Sequence, residues 1–219
     1  MEKKDDNISK LNNKLFEYGL KAELAYISDE EDALSELEIN GSLLMKCSKE
    51  LKSNKNIVMK AVKNDGLSLA YASEELKNDR EVVLEAVKNI GYALKSASEK
   101  LRSEKGFILE VVRNSGIALQ YASEELRNDR EVVLEAVKVH GIALQYASEE
   151  LRNDREVVLE AVKVHGNALA YASEELRNDR EVVLEAVKAQ GNALKFASEQ
   201  LKNDAELVII AEKSKIEQS

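Results

Sequence analysis

The sequence predicts an all-α fold, a right-handed α-solenoid (superhelix) of two-helix, 25-residue repeats, and three observations predict it. Glycine recurs at 41, 66, 91, 116, 141, 166 and 191, always 25 residues apart, and periods of about 20 to 50 residues mark stacked repeats. Counting each of these glycines as position 0, leucine stands at position 3, serine at position 7 and leucine at position 10 in all seven copies. Finally, the chain has no proline and only 5 % aromatic residues. Its helices carry no proline break, and its interior must be made of small aliphatic side chains that let helices approach closely.

The elements follow in order. Residues 1–40 match the repeat poorly and read as an N-terminal helical cap. Ser28, Asp29 and Glu30, followed by Ala33, Leu34, Leu37 and Ile39, predict a helix that runs into Gly41, with residues 11–27 supplying a helix before it. The repeats occupy 41–213, and the unit 141–165 stands for all of them. Ala143, Leu144 and Ala147 give its first half a short apolar face, a helix A of two turns. Ser148, with Glu149 and Glu150 behind it, reads as an N-cap opening one further turn that Leu151 closes inward.

Asn153 lies three residues before Glu156, the spacing of a capping box, and Asp154 adds a negative charge at the favourable helix end. Helix B then buries Val158 and Val162, with Leu159 flanking and Val157 and Ala161 widening the stripe. Glu156, Glu160 and Lys163 fall on the wet face. Gly166 is expected to end the helix in the left-handed conformation. Helices this short do not stand alone in water, so neighbouring units must supply the stability. The expected core is positions 3, 6, 10, 17, 18 and 21. Glu212 replaces the valine of position 21, which turns the last helix towards solvent, and 214–219 are expected to be a frayed tail.

Charge and composition bound the function. The formal charge is −9, which argues against general attraction to nucleic acid or anionic membrane. The polar start, Met1 to Asn13, does not read as a signal peptide, and no 18-residue apolar run exists to span a membrane. The single Cys47 excludes an intrachain disulfide framework. These features predict a cytoplasmic (intracellular) monomer with no membrane attachment, no cofactor and no metal.

Residues 141–162, Gly-Ile-Ala-Leu-Gln-Tyr-Ala-Ser-Glu-Glu-Leu-Arg-Asn-Asp-Arg-Glu-Val-Val-Leu-Glu-Ala-Val, resemble the tandem repeat of the domain-of-unknown-function family numbered 4116. The likeness covers about 41–211. Lys46 and Ser96, where other units carry an aromatic residue, and Gly106 inside a helix start depart from the pattern. The resemblance implies the repeat fold and assigns no activity.

Several residues invite a sharper reading. Tyr71, Tyr121, Tyr146, Tyr171 and Phe196 share position 5; they read as rings covering the seam between units rather than as a ladder for stacking bases. His140 and His165 share position 24, but packed helices are about 10 Å apart and no third ligand recurs beside them, so no metal is expected. Positions 11 (Lys52 to Lys202) and 14 (Lys55, Arg80, Lys105, Arg130, Arg155, Arg180) are basic columns. A cation in the first turn of a helix opposes the helix dipole, so ion pairs between units are expected to compensate it. The serines of position 7 have no accompanying base and read as caps. No catalytic set, phosphate-binding loop or metalloprotease signature is present.

The sequence therefore predicts a protein- or peptide-binding repeat scaffold without catalytic activity. The alternatives are a structural spacer or rigid arm and, behind both, a polyanion or RNA binder using the basic columns. The positions that change most between units are 1, 4, 23 and 24, all flanking the glycine turn. They place Tyr92, Ile117, Gln120, Val139, His140, Ile142, Gln145, Val164 and His165 on the expected partner-binding edge.

Overall fold

A computed structural model of the chain describes residues 26–217. The helix expected over 11–27 falls almost wholly outside these residues; Ile27, which is described, is extended and pairs in parallel with Cys47. The chain forms two compact units, 1–98 and 99–219, each built from the same local structure.

Every repeat is helical, in three pieces. In the unit 141–165 these are a 3-10 helix Gly141–Tyr146, a single α-turn Glu149–Arg152 and an α-helix Arg155–Val164. Helix A is thus present at its expected length but wound as 3-10. Ser148 opens the single turn as predicted, accepting from the Leu151 N–H at 3.3 Å. The main helix is capped one residue later than the capping-box spacing implies. Asp154 is the N-cap, its Oδ1 accepting from the N–H groups of Glu156 at 3.0 Å and Val157 at 3.1 Å. Asn153 instead ends the preceding turn.

In the unit 1–98, the helix Lys55–Asn64 packs between Glu30–Ile39 and Arg80–Asn89, and the 3-10 helices Gly41–Lys46, Gly66–Tyr71 and Gly91–Ser96 stack beside them. In the unit 99–219, the helices Lys105–Asn114, Arg130–Val139, Arg155–Val164, Arg180–Ala189 and Ala205–Glu217 stack in one row. The 3-10 helices Gly116–Tyr121, Gly141–Tyr146, Gly166–Tyr171 and Gly191–Phe196 form the second row. The core lies between the rows.

In the unit 141–165 that core comprises Ala143, Leu144, Ala147, Leu151, Val157, Val158, Ala161 and Val162. Position 18 is a correction: Leu159 is only half-buried. The helix Arg155–Val164 is covered by Arg130–Val139 and Arg180–Ala189 on either side and by the 3-10 row beneath, so the buried arc is positions 16, 17, 20 and 21. Position 18 falls on the flank of that arc.

The glycine of position 0 is also corrected. Gly41, Gly66, Gly116, Gly141, Gly166 and Gly191 have no positive φ; each opens a 3-10 helix whose backbone lies against the next main helix. A Cβ on Gly141 would be driven into the Ala161 carbonyl oxygen and would meet the His165 nitrogen at 3.0 Å. Close approach of two backbones, not left-handed geometry, requires the glycine.

At the N-terminal side, the lattice extends further than the sequence pattern implies. Asp29 caps the helix Glu30–Ile39 through its side chain, Ala33 and Leu37 are its buried residues, and the Ser48 N–H donates to the Ile27 carbonyl at 2.8 Å. These residues stand in phase with positions 13, 17, 21 and 11 of the repeat. At the other end Glu212 is exposed, together with Val208 and Ile209. The last helix runs on to Glu217, past the point where the sequence places a tail, with Ser214 buried.

Candidate partner-binding site

Most of the polar chemistry of the repeat is spent between units. At position 14, Arg155 donates from Nε to Asp179 at 2.9 Å and also pairs with Glu181; Arg130 holds Asp154 and Glu156, and Arg180 holds Asp204 and Glu206. Lys55 makes the same two contacts with Asp79 and Glu81, and Lys105 with Asp129 and Glu131. The expected inter-unit ion pairs are therefore in place for these five position-14 cations, each joined to the N-cap aspartate of the next helix, whereas at position 11 Lys77, Arg152 and Lys202 pair with a glutamate of their own repeat.

That aspartate has two tasks on its two oxygens, capping and pairing. Burial alone would raise the carboxyl of Asp179, but the bond from Arg155 and the amides of Val182 and Glu181 outweigh it and hold it below the ordinary value. For Asp154 the Arg130 bond is itself the largest influence, and the result is again lowered. A carboxylate held low in the fold stabilises it above the unfolded value, about 3.9, and that contribution vanishes as pH falls through the folded value. Acid unfolding of the intact chain should therefore begin only below about pH 4 on this account. Asp179→Ala should cost about 0.5 to 2 kcal/mol at neutral pH by removing a cap. Urea titrations at pH 7 and pH 3.5 would check both, and the difference between variant and parent should shrink at the lower pH.

A second ladder uses the position-7 serines, which have more to do than cap. The Ser148 N–H donates to the Arg127 carbonyl at 3.1 Å, and the Ser148 hydroxyl donates to Asn128 Oδ1 at 2.6 Å. Ser173 and Ser198 repeat both bonds one and two units on. This accounts for an invariant serine that has no base beside it.

The glycine edge contains the residues singled out from the sequence. Ile117, Gln120, Ile142 and Gln145 are half-buried, as are His140 and His165, while Val139 and Val164 are exposed by 43 % and 41 %. Within the unit 99–219 these eight lie at equivalent turns of consecutive repeats. Tyr92 belongs to the other unit, where its hydroxyl accepts from Lys95 at 3.1 Å.

Part of the variation on this edge is structural. The opening amides of a 3-10 helix lack internal acceptors, and the edge side chains supply them. Gly41 donates to Asn64 at 2.7 Å, Gly66 to Asn89 at 2.9 Å, Gly141 to His165 Nδ1 at 3.1 Å, and Asn167 to Gln190 at 2.9 Å. Asn64 and Asn89 also reach the preceding main helix through their Nδ2, at the carbonyls of Glu38 and Lys63. Asparagine at position 23 and histidine at position 24 are thus interchangeable acceptors for the glycine amide, while glutamine at position 24 takes the amide that follows it. The sequence hides this because the exchange moves between neighbouring positions.

The two histidines come closer than helix spacing implies, with ring centroids 4.5 Å apart in an edge-to-face arrangement. Burial, and then the charge of His165, hold the His140 imidazole below its ordinary value. The fold therefore favours neutral His140, and loses stability as pH falls from the free imidazole value through the folded one. Among the described residues no group of three or more His, Cys, Asp or Glu is placed to hold a metal ion, and no helix is long and apolar enough to cross a membrane.

Tyr146 at position 5 is half-buried and lines an open groove with Arg127, Asn128, Ala147 and Ser148. Tyr146→Phe should change stability by less than about 0.5 kcal/mol, as Phe196 at the same position implies; a thermal melt of the variant would check it.

A family model described as Domain of unknown function (DUF4116) matches residues 29–74, 54–102, 104–152, 133–177, 154–202 and 179–216. No curated protein and no solved structure matches the chain.

Proposed function

This chain belongs to the family of the domain of unknown function DUF4116, and from that premise we propose that it is a non-catalytic scaffold that binds a protein or peptide along its glycine edge. The finer architecture of the proposal is a right-handed α-solenoid acting as a monomer. One observation carries the binding surface. Of the thirteen large hydrophobic side chains exposed among the described residues, seven stand at positions 1, 4, 23 or 24: Ile39, Met45, Leu67, Ile90, Tyr92, Val139 and Val164. Five of them lie in residues 1–98 and two in residues 99–219, and in each unit they flank the glycine turns.

In the unit 99–219, Ile117, Ile142, Val139 and Val164 provide the apolar contact, and Gln120, Gln145 and His140 the polar one, a mixture suited to an extended or helical peptide. A spacer or rigid arm gives no reason for apolar side chains to concentrate there. Nucleic acid is disfavoured by the acidic surface and by the commitment of the position-14 cations to ion pairs.

The test is the combined variant Gln120→Glu, Ile142→Lys and Gln145→Glu, its fold checked by circular dichroism. A partner captured by the parent chain should bind this variant at least about tenfold more weakly. Equal binding would remove the edge as the site. If His140 contacts the partner in its neutral form, binding should also weaken as pH falls below the ordinary imidazole range, through the lowered value of His140.

A further inference from the structure

The repeats are not alike in charge. The unit 41–65 has six lysines and two acids, whereas 141–165 has five acids and three bases. Part of the difference sits beside the glycine edge. Position 22 is a cation in every unit, and position 19 is glutamate in each unit from 66 to 190. Those glutamates hold the cations. Lys88 faces Glu85, Arg113 and Lys138 share Glu135, Lys163 pairs with Glu160 and Lys188 with Glu185. In the unit 41–65 position 19 is Lys60, which turns instead to Glu38 at 3.1 Å. Lys63 is left exposed, and it meets no carboxylate among the described residues.

Lys63 directly precedes Asn64 and Asp65, the edge positions 23 and 24 of its unit. A second such cation is Lys95 at position 4. It is exposed, its Nζ donates to the Tyr92 hydroxyl at 3.1 Å and lies 5.4 Å from the ring centre, and it too meets no carboxylate among the described residues. The same edge exposes Met45, Leu67, Ile90 and Tyr92. Ile90 lies against Gly66, its Cγ2 3.0 Å from where a Cβ would stand, and so borders Leu67. The 3-10 helices that carry Met45, Leu67 and Tyr92 stack on one another within residues 1–98. Asp65 is the one acid at the edge positions between 41 and 95, and its Oδ1 already accepts from the Leu67 N–H at 3.0 Å.

We propose that the glycine edge of residues 41–95 binds an acidic amphipathic helix of a partner protein, its apolar stripe on Met45, Leu67, Ile90 and Tyr92 and its carboxylates on Lys63 and Lys95. The site is part of the glycine edge and so rests on the reading of that edge as a binding surface. Side chains seven apart on a helix are separated by about 10.5 Å along its axis, and packed helices lie about 8 to 10 Å apart. Each heptad of the partner therefore advances by about one repeat, and apolar anchors at i, i+3 and i+7 follow the strip. A partner carboxylate at Lys63 takes the place of the position-19 glutamate that this unit lacks. A cation such as Lys163, already held by Glu160, offers no such vacancy. The apolar anchors supply most of the affinity, and the exposed charges select an acidic partner over a basic one.

The experiment is fluorescence anisotropy of the whole chain with a labelled helical peptide of alanine and glutamate that carries leucine at alternating spacings of three and four residues. The comparisons are the same peptide with lysine for every glutamate, the same peptide with serine for every leucine, and a deoxythymidine oligonucleotide of equal charge. The glutamate–leucine peptide should bind at least about tenfold more tightly than either altered peptide. Lys60→Glu with Lys95→Gln gives both positions residues that other units carry, as at Glu85 and Gln120, so the fold should survive, as circular dichroism would check. By pairing Lys63 within its own repeat and removing the second cation, it should weaken the peptide about five- to tenfold. Leu67→Asn with Tyr92→Asn, copying Asn167 and Asn192, should weaken it about tenfold. The combined variant at Gln120, Ile142 and Gln145 should bind the peptide as the parent does. If that variant loses the peptide while the Lys60 and Lys95 variant keeps it, the glycine-edge reading stands and the proposal for 41–95 falls. No measurable binding of the glutamate–leucine peptide, equal affinity for its lysine counterpart, or tighter binding of the oligonucleotide would also overturn the proposal.

Discussion

Gly141→Ala should destabilise the chain by about 3 kcal/mol, the upper end of what overpacking usually costs, while the same change at Gly106 should stabilise it. The two glycines differ in what surrounds them: Gly141 opens a 3-10 helix packed against a main helix, and Gly106 lies in the first turn of an α-helix. An added Cβ at 141 is driven into the Ala161 carbonyl oxygen and lies 3.0 and 3.1 Å from the His165 nitrogen and the Ala161 carbonyl carbon. All three are backbone atoms, and none can swing aside as a flexible side chain would. At Gly106, within the helix Lys105–Asn114, an added Cβ meets nothing within 4 Å. There alanine gains up to about 1 kcal/mol of helix propensity. Gly141→Asn separates close approach from backbone conformation. Asparagine tolerates left-handed backbone but carries a Cβ, so it should be as damaging as alanine. Urea midpoints of the three variants decide the matter: an asparagine variant as stable as the parent would contradict the close-approach account.

Leu144→Ala should cost about 2 to 5 kcal/mol. Leu144 is fully buried between the two helical rows. Its loss opens a cavity that flanking main helices, pinned by the inter-unit ion pairs and the serine ladder, cannot collapse to fill. Leu159→Ala, one residue along from buried Val158, should cost clearly less because Leu159 is only half-buried. Denaturation of both variants tests the core as the structure arranges it, and a larger loss at Leu159 than at Leu144 would contradict that arrangement.

How much of this was legible in the sequence depends on the kind of contact. The period, the helical class and the burial of Leu144, Leu151, Val158 and Val162 follow from apolar spacing, which reports one helix face at a time. Positions 16 and 20 belong to the core because a second helix covers the flank, and spacing within one helix does not report a neighbour. The capping residue was misplaced by one because Asn153 and Asp154 are both good caps, and only the structure shows Asp154 taking the amides while its other oxygen holds Arg130. The glycine was recognised and its reason was not, since left-handed turns and close approach leave the same letter. At the candidate edge, variability was visible. That His165 and Asn64 answer the same orphan amide from different positions, and Gln190 the amide after it, was not, because a hydrogen-bond requirement is not tied to one residue type.

The seam between repeats, made of a serine reaching an asparagine and a cation reaching an aspartate and a glutamate, has the same chemistry from one unit to the next within residues 128–206. A gene encoding such a seam can lose or gain a whole copy by unequal recombination between near-identical stretches, such as those for 116–140 and 141–165. Removing 141–165 would set Arg130 against Asp179 and Glu181 in place of Asp154 and Glu156, with no partner left unmatched. Array length is then free to vary between generations without a compensating change, and a ligand read one repeat at a time would be lengthened or shortened in step.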